Sequence, residues 1–248
     1  IDVFDTIAKS KYGSAYREIV KSKLFGCFED RYVYEFSDAW LQMVCSENEN
    51  SSHPSYIIQK LRSADRQDKI TGALLMMNSV YHSARKWKKK EFYIGDEERQ
   101  EAFSILYQMM KSKEALSIYV SVWCIAWAGY GEADIVPYEM AAEIAEQLVT
   151  LWLADLDNCF ELKRVISWAI AEVCMPGLDI QRRSGLPEKI EDNFENPQND
   201  LDRLAAVSLA VITAYWSKEE AEEKLRKKGA IEEFHVEHSR LLNEMGVL

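Results

Sequence analysis

The sequence predicts an all-α protein built as an array of antiparallel helical hairpins. Three observations carry this. Apolar residues recur at helical spacing in stretch after stretch, and no run alternates strictly as a half-buried strand does. Glycine (10) and proline (5) are scarce in 248 residues, so helix breakers are few. The breaks between stretches are short, which favours antiparallel neighbours. The array is organised around the segment from Glu114 to Glu132, which has no charge between its two ends. Leu116, Tyr119, Val120, Trp123 and Trp127 line one side of a helix there, and Ile118, Val122, Ile125 and Ala126 fill the other. A helix that is apolar all round must be covered all round. The segment is short for a membrane span, carries two serines and ends in Gly-Tyr-Gly, so a central core helix is expected.

The remaining elements follow in order. Ser14 is placed to cap a helix reaching about Phe28. A second helix covers about 30–46, with Tyr32, Val33, Phe36, Trp40, Leu41 and Val44 at the helical period. Residues 47–52 are a polar loop, and His53-Pro54 starts a short helix, because proline is tolerated in a first turn. A long helix is expected over about 65–91. Its basic end, Arg85 to Lys90, suits the negative pole of the helix dipole. Asp96 is read as the cap of the next helix, with Glu97, Glu98 and Glu101 in its first turn. Beyond the central segment, helices are expected at about 137–155, 159–175, 199–216, 217–228 and 230–245. Residues 176–199, with three prolines, read as one long connection. The expected organisation is an N-terminal helical segment, 1–95, packed on an array spanning 96–248.

Composition narrows the function. Hydrophobic content of 48% and charged content of 29% fit a soluble globular chain with a proper core. A net charge of −11 opposes nucleic acid as the main partner, since phosphate neutralisation needs a basic face. It suits a basic protein partner or simple solubility. Cys27, Cys45, Cys124, Cys159 and Cys174 are odd in number, form no CxxC pair and lie in apolar contexts, so reduced thiols and a cytoplasmic setting are expected. The chain opens at Ile1 with no secretory signal, which fits a processed form or a segment of a longer protein.

Two helices carry a repeat-like texture. In one, Asp202 and Arg203 precede Ala205, Ala206 and Leu209; more loosely, Glu161, Arg164, Ala169 and Ala171 repeat the pattern. An acid, then an arginine, then small and aliphatic residues resembles the helices of HEAT-type repeats. The resemblance covers about the last 150 residues. It implies an irregular α-α superhelix, a HEAT-like scaffold that binds other macromolecules on a concave face. Such arrays also form sensor regions within larger signalling proteins.

No catalytic signature is present: there is no P-loop, no Gly-x-Ser-x-Gly and no Gly-x-Gly-x-x-Gly. No cofactor is expected, nor any membrane. Glu232, His235 and His238 lie at helical spacing and are the best metal candidates, but no second helix repeats Glu-x-x-His to complete a site. The acids Glu132 and Asp134 are read as capping residues before acid–base pairs. Trp123, Trp127, Trp152, Trp168 and Trp216 belong to the most apolar helices and are expected in the core. Trp87, set among lysines, and Tyr130 and Tyr138, flanking the acidic turn of Glu132 and Asp134, are expected at the surface as binding residues. The leading expectation is a non-catalytic interaction module with an acidic, aromatic-bearing surface. The alternatives are an all-α enzyme with a small-molecule or metal pocket between helices, and an immunity-type neutraliser of a basic protein.

Overall fold

The structure, a computed structural model, describes residues 13–26, 33–85, 95–129, 135–154, 160–174, 185–199 and 201–230. Every regular element among them is helical. In chain order these are α1 (Gly13–Lys21, continued by a π-helical turn at Ser22–Gly26), α2 (Val33–Glu47), α3 (Pro54–Arg62), α4 (Arg66–Arg85) and α5 (Asp96–Met110). Then come α6 (Ala115–Gly129), α7 (Tyr138–Leu153), α8 (Phe160–Val173), α9 (Leu186–Glu195), α10 (Asp202–Ile212) and α11 (Lys218–Lys227).

The helices pair as sequence neighbours: α3 with α4, α5 with α6, α7 with α8 and α9 with α10. Across the pairs, α2, α4, α6, α8 and α10 touch in succession and make one row. Helices α3, α5 and α7 make a second row on top of it. This is a two-layer array, and it explains the sequence pattern. The second row is amphipathic, as a helix with one wet face must be. In α7, Ile144, Ala145, Leu148, Val149, Leu151 and Trp152 are buried, while Glu139, Ala142, Glu143, Glu146 and Thr150 are exposed.

The central helix is as the charge-free segment predicts. Every residue from Leu116 to Ala128 is buried. α4, α5 and α8 all touch it, and the ring of Tyr34 from α2 lies 5.4 Å from Trp123. Trp127 meets Trp168 of α8 edge to face at 5.0 Å, a geometry that aromatic quadrupoles favour. Two helix crossings are too close for any side chain. A Cβ on Gly72 would lie 2.7 Å from the backbone nitrogen of Leu61, and one on Gly129 would lie 2.6 Å from Val173 Cγ2. At Gly72 two backbones meet, and at Gly129 the Val173 side chain rests on the backbone.

Local chemistry sets the ends. Pro54 occupies the first turn of α3. Ser217 caps α11 by accepting the Glu220 N–H at 3.1 Å. Arg66 at the start of α4 forks onto Glu114, just before α6, and donates to the Phe25 carbonyl at 2.8 Å. Ser117 also donates to Glu114, at 2.6 Å, so one carboxylate joins the starts of α4 and α6.

Two expectations change. Gly95, not Asp96, takes the cap position of α5; Asp96 is the first helical residue, and its carboxylate accepts from Arg99 at 3.0 Å. The stretch 176–199 is not all connection, because it contains α9. Gly185 in the left-handed conformation (φ 84°) and Pro187 in the first turn set up that helix, and Leu186, Ile190 and Phe194 form its buried stripe. Helix α1 widens into a π-helical turn at Ser22–Gly26, and the end expected near Phe28 lies outside the described residues. Beyond Ala230, the helix expected at 230–245 lies outside the described residues, as does the basic run 86–90. No described helix is long and apolar enough to cross a membrane.

Candidate functional site

The outer face of α7 is the most distinctive described surface. Pro137 at the cap position sets the entry, and Tyr138 begins the helix with 80% of its surface exposed. Glu139, Glu143 and Glu146 follow on the wet side at i, i+4 and i+7, all exposed. No lysine or arginine occurs between Tyr138 and Leu153. The helix therefore adds three negative charges to one face with no compensating cation of its own. Glu139 is favourably placed at the positive pole of the helix dipole.

Of the residues singled out from sequence, only Tyr138 is among those described. Trp87, Tyr130, Glu132 and Asp134 lie outside them, as do Glu232, His235 and His238. The glutamate stripe was missed. Its signal was present, however: three acids recur on the side of the helix opposite Ile144, Leu148 and Trp152.

A second polar cluster centres on a buried acid. Asp202, at the start of α10, has no exposed surface. Its Oδ1 accepts from Ser167 Oγ at 2.6 Å and Asn199 Nδ2 at 3.0 Å, and its Oδ2 accepts from the Gln198 N–H at 3.0 Å. Lys163 of α8 lies 3.9 Å from Oδ2 and donates to Gln198. Arg203 donates to the Phe194 carbonyl at 3.0 Å, joining α10 to α9. A buried carboxylate is tolerated when its lone pairs are filled, and here they are. Ser167 is likewise fully buried, so no substrate reaches it. The cluster is a joint between α8, α10 and the 196–199 turn.

Three other groups are perturbed by burial. Burial raises the Glu172 carboxyl to about 7, although Trp168 Nε1 donates to it at 3.1 Å and opposes the shift. Burial pushes the Cys174 thiol up to about 12 and that of Cys124 higher still, so both stay protonated and lack the nucleophilic thiolate. Among the described residues, no group of three or more His, Cys, Asp or Glu could hold a metal ion. Fold and surface together define an all-α, two-layer helical array with an acidic outer helix. No protein-family model matches the chain, and no curated protein or solved structure matches it.

Proposed function

We propose that the chain is a non-catalytic interaction module, a HEAT-like helical array that receives a basic protein partner on the outer face of α7. The carrying observation is the stripe Glu139, Glu143 and Glu146 beside the exposed ring of Tyr138. Carboxylates without a cation on their own helix attract a basic surface and speed its encounter. An exposed tyrosine adds rigid contact area at the edge of that field. The alternation of two helix rows supports the helical-repeat reading. The burial of α6 from Leu116 to Ala128 leaves that stretch no face for a partner, which supports a contact on α7 instead. A cytoplasmic scaffold, or a sensor segment of a larger protein, fits this reading.

The test is capture from lysate of the source organism, with wild-type chain and a Glu139→Gln/Glu143→Gln/Glu146→Gln variant on parallel supports. The reading expects a stoichiometric basic protein on the wild type, released at high salt and absent from the variant. An identical set of captured proteins on both chains would overturn it.

A further inference from the structure

A different cluster, formed by α9, the turn after α10 and α11, surrounds the ammonium group of Lys224. Helix α10 ends at Ile212, and Ala214 then takes a left-handed conformation (φ 55°), the only non-glycine residue to do so among those described. Such a φ disfavours a residue with a Cβ, so this turn is held against local preference. The N–H groups of Tyr215 and Trp216 both bond the Ala210 carbonyl, at 2.9 and 3.1 Å, and fix the turn. It sets the two rings side by side, 6.0 Å apart and 27° from parallel. Phe194 of α9 closes against Trp216 edge to face at 5.2 Å.

A carboxylate completes the arrangement. Glu191 Oε1 accepts from Tyr215 Oη and from Trp216 Nε1, both at 3.2 Å. These two donors orient the group and leave Oε2 for a cation. Lys224 of α11 supplies one: its Nζ lies 3.4 Å from Oε2, 4.5 Å from the Trp216 ring centroid and 5.9 Å from that of Phe194. Aromatic faces around one carboxylate are the chemistry that recognises a lysine ammonium or its methylated forms.

The helix carrying this lysine is lightly held. Its sequence, KEEAEEKLRK, buries only Ala221 and Leu225. Beyond the Lys224 contact, the pair between Lys228 and Glu195 is its other charged tie to α9, and that pair is exposed. Exposed pairs contribute little to holding a helix in place.

We propose that Glu191, Phe194, Tyr215 and Trp216 form a recognition site for a lysine side chain of a partner protein, and that Lys224 fills it as an internal stand-in until α11 is displaced. The site is separate from α7, so it stands whether or not the α7 face binds anything. An occupant tethered on the same chain competes at an effective concentration in the millimolar range, which keeps the site closed to weak ligands.

The experiment uses the full chain and a short peptide carrying one trimethyllysine, with an unmodified-lysine and a norleucine peptide as controls. Binding is read by Trp216 indole N–H chemical shift and by calorimetry. Lys224→Ala removes the stand-in, while alanine preserves helix propensity. The expected result is trimethyllysine binding roughly tenfold tighter in Lys224→Ala than in wild type. That binding is lost when Glu191→Gln is added, and norleucine does not bind. Equal affinity in both chains, or binding indifferent to Glu191→Gln, overturns the proposal. Should Lys224→Ala lose helicity, wild-type chain at about 10 mM peptide gives the answer by competition. A shift of the Trp216 indole signal supports the site, and an unmoved signal overturns it. Neither arm involves Glu139, Glu143 or Glu146, so failure here and failure of the α7 reading are distinguishable.

Discussion

Helices α6 and α7 follow each other in the chain and are nearly equal in length, yet they live in different solvents. α6 has no charge and no wet face; from Leu116 to Ala128 every residue is buried. α7 divides itself between Trp152, Leu148 and Ile144 inside and three glutamates outside. The contrast separates what holds the array from what the array offers. Substitution in α6 should act on stability alone. Substitution on the outer face of α7 should act on recognition alone.

The largest effect is expected at the α6–α8 contact. Trp127→Ala removes a fully buried indole that meets Trp168, and should cost about 3–5 kcal/mol in denaturant unfolding. The Asp202 joint comes next. Asp202→Ala removes the buried acceptor of Ser167, Asn199 and the Gln198 N–H and should cost about 3 kcal/mol, whereas Ser167→Ala should cost about 1 kcal/mol. The same unfolding curves rank the two.

The Glu172 carboxyl gives a pH signature. Its folded value is raised by burial to about 7, so the folded chain holds a proton that the unfolded chain has already released. Its favourable contribution is complete at acid pH, below the usual carboxylate range. It falls away as pH rises from that range to about 7. Glu172→Gln should flatten this part of the stability–pH profile, read as Tm at a series of pH values.

A smaller effect has the opposite sign. Asn193 is fully buried in α9, and neither Oδ1 nor Nδ2 has a hydrogen-bond partner among the described residues. Asn193→Leu should therefore stabilise by about 1–2 kcal/mol in the same assay. The smallest effect on stability belongs to α7. Neutralising Glu139, Glu143 and Glu146 should move unfolding by no more than about 0.5 kcal/mol. If that triple variant unfolds the chain, the division between the two helices fails.

Much of the fold was legible because the core writes itself in periodicity. The uncharged run 115–131 announced α6, and the tryptophans Trp123, Trp127, Trp152, Trp168 and Trp216 are all buried. The helix α9 was hidden by the prolines in and around it and by its shortness. Its stripe of Leu186, Ile190 and Phe194 spans only two turns, too few to stand out against a polar background. The surface was less legible. Tyr138 could be read as exposed from its acidic neighbours, but which acids share its face depends on the helix phase, and that is set by packing. The Glu191 cluster could not be read at all. It joins residues from three elements through the left-handed turn at Ala214, a conformation that alanine does not advertise.

The most direct test of the division between scaffold and contact face is hydrogen exchange across the whole chain, alone and with its captured basic partner. The account predicts the slowest exchange in Ala115–Gly129 in both states, and new protection in Tyr138–Leu153 when the partner is bound. Protection that appears elsewhere while Tyr138–Leu153 is unchanged would contradict it.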